Sequence, residues 1–282
     1  MSPWHPPTIF AALQAAGRVA LHHYETPDRQ LKADGSVVTQ ADREIEALLT
    51  ARLARPAEGC LLLGEETFEQ QPPDFLRRAL AGELYIVDPI DGTACYAHHL
   101  PIWGVSLGYA RGGELREGAI YLPVLREIFY SDGPDVWWGQ LDPQAADPLP
   151  TQLQRIPQAV PTEPAGGLVA ITQGVVRQCH FPPDMVLHAL ACAVVPLAYL
   201  LLGRYVAYLG HLKLWDLAGG LPLLLKTGFT ATLIDGTPLT ASISPATYTL
   251  DPADPHCWAL RHPCLFGPPE VGRWFPSRGA PR

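Results

Sequence analysis

Apolar and polar positions along the chain follow two periods, one typical of helices and one typical of strands. Apolar residues recur at helical spacing over residues 8–24, and a second helical pattern follows Thr39. Short apolar or alternating runs bounded by Gly and Pro predict strands. These runs cover residues 60–64, 84–87, 102–110, 119–122, 127–131, 136–138, 167–172 and 205–209. The pattern therefore predicts an α/β fold with a helical start and a sheet of consecutive strands.

The same signals divide the second half of the chain. Residues 184–202 are almost entirely apolar, and we predict a largely buried helix there, although Pro196 interrupts the run. A further helix is predicted from Asp216, and a hairpin over residues 233–240. Residues 140–166 are rich in Pro, Gln and Ala with few large apolar side chains, which indicates a domain boundary. The predicted lobes are residues 1–150 and 151–282.

A predicted strand runs directly into the sequence Asp-Pro-Ile-Asp-Gly-Thr at positions 88–93. Two close carboxylates raise each other's pKa unless a cation lies between them, so Asp88 and Asp91 indicate a site for a hard divalent ion. Gly92 allows close backbone approach, and its amide and that of Thr93 can receive a phosphate oxygen. The alternative is an ordinary turn, since Asp, Pro and Gly are common turn residues.

Two more acids could join this site from the first third of the chain. Glu65 follows the predicted strand over residues 60–64, so two neighbouring strand ends would bring it close to Asp88 and Asp91. Asp42 lies three residues after Thr39. It can cap the first turn of its helix, or it can orient a catalytic hydroxyl or water.

Asp216 is a candidate from the second half of the chain. It stands at the start of an apolar helix, where a carboxylate is an ordinary cap favoured by the helix dipole. The small residues Ala218, Gly219 and Gly220 follow it and would let that helix approach another backbone closely. Such an approach also suits an acid that is delivered to a crowded site.

Composition and charge exclude several classes of function. The chain has 282 residues and a net charge of -8, so it lacks the electrostatic footprint of a protein that binds nucleic acid or an anionic membrane. No N-terminal signal pattern is visible, and the apolar run over residues 187–202 is too short and interrupted for a membrane span, so we expect a cytoplasmic protein. Six scattered cysteines without a Cys-x-x-Cys pair predict reduced, mostly buried thiols.

Four motifs in order give the chain a resemblance to the inositol monophosphatase family, whose magnesium-dependent, lithium-sensitive phosphatases also act on histidinol phosphate, fructose bisphosphate and adenosine bisphosphate. The motifs are Val38-Thr-Gln-Ala-Asp42, Gly64-Glu65-Glu66, Asp88-Pro-Ile-Asp-Gly-Thr93 and Trp215-Asp216-Leu-Ala-Gly219. The third is highly specific, and the ordered set is stronger than any single motif. The resemblance implies a layered αβαβα sandwich of the sugar-phosphatase type and a homodimer.

The resemblance also implies a role for each motif residue. Roughly two or three Mg²⁺ ions would be bound by Glu65, Asp88, the backbone carbonyl of Ile90, Asp91 and Asp216. Glu65 and Thr93 would activate the attacking water, with Asp42 holding Thr93. The amides of Gly92 and Thr93 would receive the phosphate. Charge stabilisation and positioning, rather than a covalent enzyme intermediate, would then supply most of the rate.

The substrate side of the site departs from the family. Ala94 and Cys95 stand where the family usually has Thr and Asn, Val206 replaces an acid, and Leu209 corresponds roughly to the acid that holds an inositol hydroxyl. We expect a small phosphorylated metabolite as substrate, with inositol phosphate, a sugar phosphate, histidinol phosphate and adenosine 3',5'-bisphosphate all open. An alternative of another class is a non-catalytic member that binds metal or a phosphorylated ligand, but retention of every metal acid disfavours it.

Overall fold

The helices and strands are those of a computed structural model that describes residues 3–32, 35–159, 166–181, 185–271 and 280–281. The α-helices in these ranges are α1 (Pro6–Tyr24), α2 (Gln40–Leu53), α3 (Phe75–Ala81), α4 (Thr93–Ala97), α5 (Gln173–Gln178), α6 (Val194–Leu200), α7 (Leu214–Ala218) and α8 (Leu221–Lys226). Short 3₁₀ helices cover Pro56–Glu58 and Phe68–Gln70. In the described ranges, no helix is both long enough and apolar enough to cross a membrane.

Two sheets carry the fold. The strands are β1 (Arg29–Leu31), β2 (Val37–Thr39), β3 (Cys60–Gly64), β4 (Glu83–Asp91), β5 (Gly104–Arg111), β6 (Glu114–Leu122), β7 (Glu127–Asp132), β8 (Asp135–Gln140), β9 (Thr151–Arg155), β10 (Leu168–Thr172), β11 (Cys179–His180), β12 (Val186–Leu190), β13 (Ala207–Gly210), β14 (Thr230–Leu233), β15 (Cys264–Gly267) and β16 (Ala280–Pro281). The large sheet has the order β3-β4-β5-β6-β7-β8-β9, and the small sheet has the order β12-β10-β13-β15-β14. β3 and β4 pair in parallel, as do β12, β10 and β13.

The sheets and helices form five layers. Alternate residues of β4 face opposite sides of the large sheet, so that Tyr85 packs with α1 and α2 while Ile86 packs with α6, α7 and α8. In the small sheet, Ala170 faces this same inner helical layer, whereas Ile171 faces outwards to Val175 of α5. The predicted αβαβα sandwich is therefore confirmed, and the inner helices lie between the two sheets.

Many predicted elements are present. The first two predicted helices correspond to α1 and α2, and the predicted strands of the N-terminal half correspond to β3–β8. The hairpin predicted over residues 233–240 is present as β14 and a return through Leu239, whose amide bonds to the Ala231 carbonyl. The six cysteines are free thiols as predicted, with Cys179 half-buried and the others buried. The Pro-rich tail, which showed no clear pattern, supplies β15 between β13 and β14.

The helix predicted over residues 184–202 is wrong. Residue 184 lies outside the described residues, Val186–Leu190 is strand β12 beside β10, and only Val194–Leu200 is helical. Pro196 lies in the first turn of α6, where its missing N–H and restricted φ are tolerated. The proline therefore marked the start of a short helix rather than an interruption of a long one.

The predicted domain boundary contains a strand. β9 pairs with β8 at the edge of the large sheet, and all of its residues are exposed. Residues 160–165 of the boundary segment lie outside the described ranges. The division into lobes of residues 1–150 and 151–282 stays a prediction.

Small residues bring α7 into backbone contact with the large sheet. A Cβ atom on Gly108 of β5 would lie 2.5 Å from the Cβ of Ala218 and 2.6 Å from the Ala218 carbonyl oxygen. The buried Ser106 hydroxyl donates to the Trp215 carbonyl at 2.7 Å and accepts the Gly219 amide at 3.0 Å. The close approach that the small residues after Asp216 predicted is thus present, and it holds that acid against the large sheet.

We predict that Gly108→Ala destabilises the protein. The new methyl group would overlap backbone atoms of α7, and overpacking of this kind costs about 1–3 kcal/mol. Thermal or urea unfolding would measure the change. Gly174→Ala is the matched control, because a Cβ there meets no atom within 4 Å and the residue lies in α5. It should leave stability unchanged or raise it by up to about 1 kcal/mol. Equal stability of both variants would contradict the close packing of α7.

Candidate active site

Asp88 and Asp91 lie on either side of a break in the pairing of β4 with β5. Asp88 pairs with Ser106 and Asp91 with Gly104, so β4 contains one extra residue between the two pairs. In a regular strand, residues three apart point to opposite faces, and an extra residue reverses that alternation. The bulge therefore lets both carboxylates reach the same place, and Pro89, which has no N–H, is suited to an interruption of the ladder.

Asp216 completes a cluster of three acids. It lies in the first turn of α7, where its Oδ2 accepts the amide of Lys213 at 2.8 Å. One carboxylate oxygen from each of Asp88, Asp91 and Asp216 lies within 4.8 Å of the other two. Residues that are far apart in the chain thus present three oxygen ligands to one point.

Burial and mutual repulsion raise the pKa values of these acids. Burial raises the pKa of Asp88 well above its ordinary value, and the neighbouring carboxylates raise it further. Burial, followed by the charges of Asp91 and Glu65, raises the pKa of Asp216 to about 8. Burial also raises the pKa of Asp91, to about 6, while hydrogen bonds from its neighbours oppose the shift. The cluster is therefore under strong electrostatic pressure to take up protons or a cation.

Asp91 is held by three donors that precede or begin α6. Its Oδ2 accepts the Cys192 thiol at 2.9 Å and the amides of Ala193 and Val194 at 2.6 Å each. These residues were not predicted as part of the site, because the apolar run predicted a long helix in which their amides would be paired. A Pro two residues after Val194 was the available signal, since Pro is frequent in first helical turns.

Gly92 and Thr93 form the turn between β4 and α4. Gly92 has φ 89°, which favours glycine, and a Cβ there would lie 2.9 Å from the Ile102 carbonyl oxygen. Thr93 begins α4, and its hydroxyl lies 2.9 Å from the Ile90 carbonyl and 3.3 Å from Asp42 Oδ1. The hydroxyl thus contacts both a predicted metal ligand and the predicted orienting acid.

Asp42 caps α2 with one carboxylate oxygen and contacts the Thr93 hydroxyl with the other. Its Oδ2 accepts the amide of Thr39 at 2.8 Å and the hydroxyl of Thr39 at 2.6 Å at the start of α2, while its Oδ1 faces Thr93. Burial raises its pKa to about 6, although the hydrogen bonds from Thr39 oppose the shift. Capping therefore orients one oxygen and leaves the other directed at the site.

Glu65 follows β3, which runs parallel to β4, but its carboxylate is not in the three-acid cluster. Lys32 contacts Glu65 Oε1 at 3.0 Å and Glu66 Oε1 at 2.7 Å. Burial alone would lower the pKa of Lys32, but the two carboxylates raise it above its ordinary value. Sequence reasoning missed this lysine, which places a positive charge beside the acids.

Glu46 of α2 explains the glycine of the Gly64-Glu65-Glu66 motif. The buried Glu46 carboxylate lies where a side chain of Gly64 would otherwise stand. It accepts the amide of Glu66 at 2.7 Å and the hydroxyl of Thr67 at 2.5 Å. Sequence reasoning missed Glu46, which supports the turn that carries Glu65.

Most of the predicted site residues line one cavity of about 280 Å³. Those that line it are Glu65, Asp88, Ile90, Asp91, Gly92, Thr93 and Asp216. Asp42 lies behind Thr93 and is fully buried. The structure therefore brings the predicted residues together, with Glu65 at the edge through its contact with Lys32.

The donor set fits magnesium. Carboxylate and carbonyl oxygens are the ligands that Mg²⁺ prefers. The metal-binding cluster found among the described residues consists of three aspartates and contains no sulfur ligand. The raised pKa values of Asp88 and Asp216 have burial and like charges as their cause, which a divalent cation would relieve.

Comparison with known proteins gives consistent matches. The sequence model of the inositol monophosphatase family matches residues 7–252. An inositol-1-monophosphatase of Mesorhizobium japonicum is 28% identical over 242 residues, which are 81% of this chain and 84% of that protein. A histidinol-phosphatase of Chlorobaculum parvum is 31% identical over 121 residues, which are 42% of this chain and 44% of that protein.

Solved structures match over nearly the whole chain. The crystal structure of inositol monophosphatase II from Staphylococcus aureus has a TM-score of 0.70 at 19% identity, and the match covers 96% of this chain and 91% of that one. At this identity the likeness shows the fold alone, but the family model spans most of the sequence, including all four motifs. The chain belongs to the inositol monophosphatase family, a family of metal-dependent phosphatases in which Mg²⁺ is typical.

Proposed function

We propose that this protein is a magnesium-dependent phosphate monoester hydrolase that acts on a small phosphorylated metabolite. The observation that carries the proposal is the convergence of Asp88, Asp91 and Asp216 within 4.8 Å beside the Gly92–Thr93 turn. Carboxylates that are buried so close together repel one another, and this repulsion favours cation binding. The open cavity gives a phosphate access to the same point.

Magnesium would be held by Glu65, Asp88, the carbonyl of Ile90, Asp91 and Asp216. When bound, the ions supply positive charge that makes water a better nucleophile and stabilises the charge of the transferring phosphate. To bind metal, the Glu65 carboxylate would have to give up its contact with Lys32, whose Nζ lies 3.0 Å from Glu65 Oε1. The number of ions, roughly two or three, is part of the proposal.

The backbone at the start of α4 would bind the phosphate. The amides of Gly92 and Thr93 have no helical acceptor at the first positions of a helix, so they are available to an oxyanion. The left-handed conformation of Gly92 sets this turn, and a side chain there would meet the Ile102 carbonyl. Phosphate bound at this turn would lie next to the acidic cluster.

Thr93, Asp42 and Glu65 would handle the proton of the attacking water. The single proton of the Thr93 hydroxyl can go to the Ile90 carbonyl at 2.9 Å or to Asp42 Oδ1 at 3.3 Å. With the Ile90 carbonyl bound to a metal ion, donation to Asp42 would leave the Thr93 oxygen free to accept a proton from a water. Two hydrogen bonds from Thr39 already hold the Asp42 carboxylate in the orientation that contacts Thr93. Glu65 lines the same cavity and supplies a second acceptor.

The closely related alternatives concern the substrate. Inositol phosphate, histidinol phosphate and other small phosphate esters fit a site whose metal and phosphate groups are the same for all of them. A homodimer and a cytoplasmic location, both expected from the sequence, remain predictions.

We predict phosphate release that requires both Mg²⁺ and Asp88. The wild-type protein should release inorganic phosphate from at least one member of a panel of inositol, histidinol, sugar and nucleotide phosphates, with inhibition by lithium. Asp88→Asn should lower the rate by about 10³-fold, because a lost ligand removes several kcal/mol of charge stabilisation. Its fold should persist, since an amide oxygen can still accept the Ile90 amide.

The control is Asp235→Asn, which changes an exposed acid outside the site. It should keep wild-type activity. Magnesium-dependent hydrolysis by Asp88→Asn at the wild-type rate would contradict the assignment of the metal site. If the wild-type protein binds Mg²⁺ but releases phosphate from no compound of the panel, the non-catalytic alternative would be favoured.

We predict that the hydroxyl of Thr93 acts in the chemical step. Thr93→Ala should lower kcat by about 10²–10³-fold, the range for loss of a positioned proton acceptor. Thr93→Ser keeps the hydroxyl beside Asp42 and should recover most of the rate. Steady-state kinetics with saturating Mg²⁺ would measure both variants. Equal activity of the two variants would rule out a catalytic hydroxyl.

We predict that metal-free protein loses stability as pH rises and that Mg²⁺ restores it. The folded-state pKa is about 6 for Asp42 and Asp91 and about 8 for Asp216, each above the ordinary value of 3.8. The folded state therefore binds more protons than the unfolded state, so this stability is present at low pH and is lost as pH rises through 6 to 8.

Thermal unfolding with a chelator should show a Tm that falls between about pH 5 and about pH 8.5, and the Tm increase caused by Mg²⁺ should be larger at the upper end. Asp216→Asn is the comparison variant. It should flatten the upper part of the metal-free profile, because the group with the highest of these pKa values is removed. A metal-free Tm that rises over this interval would contradict the electrostatic account.

A further inference from the structure

Helix α2 carries two buried acids one turn apart, Asp42 and Glu46. Residues four apart on a helix lie on the same face, and both of these acids contact residues of the candidate site. Asp42 Oδ1 lies 3.3 Å from the Thr93 hydroxyl, and Glu46 contacts the turn that carries Glu65. No step of the proposed reaction uses Glu46, so its burial next to the site calls for an explanation.

Both carboxylate oxygens of Glu46 bond to the residues that follow Glu65. Oε2 accepts the Glu66 amide at 2.7 Å, and Oε1 accepts the Thr67 hydroxyl at 2.5 Å. Gly64 makes room for this carboxylate, because a side chain at position 64 would overlap it. Glu46 therefore fixes the backbone directly after Glu65.

The backbone around Glu65 is anchored on both sides. The Glu65 amide donates to the Val87 carbonyl at 3.2 Å, which continues the parallel pairing of β3 with β4. Val87 directly precedes Asp88 of the acidic cluster. The Glu66 amide, on the other side, is held by Glu46. Loss of the Glu46 carboxylate would remove the second anchor, so the backbone of Glu65 could move relative to Asp88.

Burial of Glu46 has a cost that its hydrogen bonds offset. Burial raises the pKa of Glu46, while the hydrogen bonds from Thr67 and Glu66 oppose the shift. A carboxylate at this depth destabilises the folded protein unless such bonds satisfy it. These bonds go to the turn of a predicted metal ligand, and metal ligands depend on outer groups that fix their position.

We propose that Glu46 is a positioning residue that fixes Glu65 for metal binding and for accepting the proton of the attacking water. Together with Asp42, which contacts Thr93, it makes one face of α2 the support of both Thr93 and Glu65. Glu46 does not line the cavity at the acidic cluster, so it acts through Glu65. This inference rests on the proposed function, because it adds a positioning residue to the same reaction.

The first test compares Glu46→Leu with Glu46→Gln. Leu leaves the Glu66 amide and the Thr67 hydroxyl without this acceptor, whereas the carbonyl of Gln can accept the amide and its NH₂ group can donate to the hydroxyl oxygen. Glu46→Leu should raise the apparent Kd for Mg²⁺ about tenfold, as for other lost outer groups of metal sites. Glu46→Gln should raise it at most about threefold, because it can keep both bonds. Isothermal titration calorimetry measures both values.

Steady-state kinetics separate positioning from a purely structural role. At saturating Mg²⁺, Glu46→Leu should lower kcat about tenfold for the panel compound that the wild type hydrolyses fastest, because a displaced Glu65 is a poorer proton acceptor. KM for that compound should be unchanged, since the proposed phosphate site at Gly92 and Thr93 is left in place. A purely structural role would lower the Tm but leave the Mg²⁺ Kd and kcat of the folded protein unchanged.

Glu44→Leu is the matched control. Glu44 is an acid of the same helix, but it contacts His23 and Gln40 at the exposed surface. The control loses the same charge as Glu46→Leu and should leave the Mg²⁺ Kd and kcat unchanged.

A second pair of variants tests the same contact from its other end, in case Glu46→Leu lowers the yield of folded protein. Thr67→Val removes the hydroxyl that bonds to Glu46 and should raise the Mg²⁺ Kd about threefold, as expected for one lost hydrogen bond. Thr67→Ser keeps a hydroxyl at this position and should recover most of the affinity.

An unchanged Mg²⁺ Kd in Glu46→Leu and Thr67→Val would overturn the inference. An equal loss of affinity in Glu46→Gln and Glu46→Leu would also overturn it, because the charge of Glu46 rather than its hydrogen bonds would then act on the site. Failure of the proposed function gives a different result, namely wild-type protein that binds Mg²⁺ but releases no phosphate, and the Kd values of the variants would still test the support of Glu65. Wild-type protein that binds no Mg²⁺ would overturn both.

Discussion

Three carboxylates share one small, largely buried volume, and much of the architecture serves to hold them there. Asp88, Asp91 and Asp216 repel one another, and burial increases that repulsion because the surrounding dielectric is low. They come from the end of a strand, the far side of a bulge and the first turn of a helix. Holding them together requires a rigid scaffold and either bound protons or a cation, and the scaffold accounts for much of the architecture.

The scaffold restrains these acids largely with neutral donors. Asp91 accepts a thiol and two amides at the start of α6, and Asp216 accepts the amide of Lys213. The bonds to Asp91 also join the large sheet to the chain that leaves the small sheet at β12. Backbone contact between Gly108 and Ala218 presses α7 against the same strands. Each of these links restrains an acid without neutralising it, so the cluster keeps a negative charge that favours a cation.

The site has two sides with different chemistry. On one side, the acids are suited to metal ions and the Gly92–Thr93 turn is suited to the phosphate group. Every substrate of a phosphate monoester hydrolase carries that phosphate group. On the other side, a second cavity shares Asp91 and Asp216 and has no lysine or arginine among its described lining residues. Strand alternation decides which residues reach this pocket, since it directs Tyr208 inwards and Leu209 outwards.

The elements that depend on local signals could be predicted from the sequence. Helical periodicity predicted α1 and α2, and a strand followed by Asp-Pro-Ile-Asp-Gly-Thr located the candidate site, because turn and capping chemistry acts over a few residues. Features that depend on contacts between distant parts of the chain became visible in the three-dimensional structure. These include the strand β12 within an apolar run read as helix, the donors to Asp91 from Cys192 and its neighbours, and the contact of Lys32 with Glu65. Periodicity cannot separate a buried helix from a buried strand in a uniformly apolar run, and it carries no information on which distant groups meet.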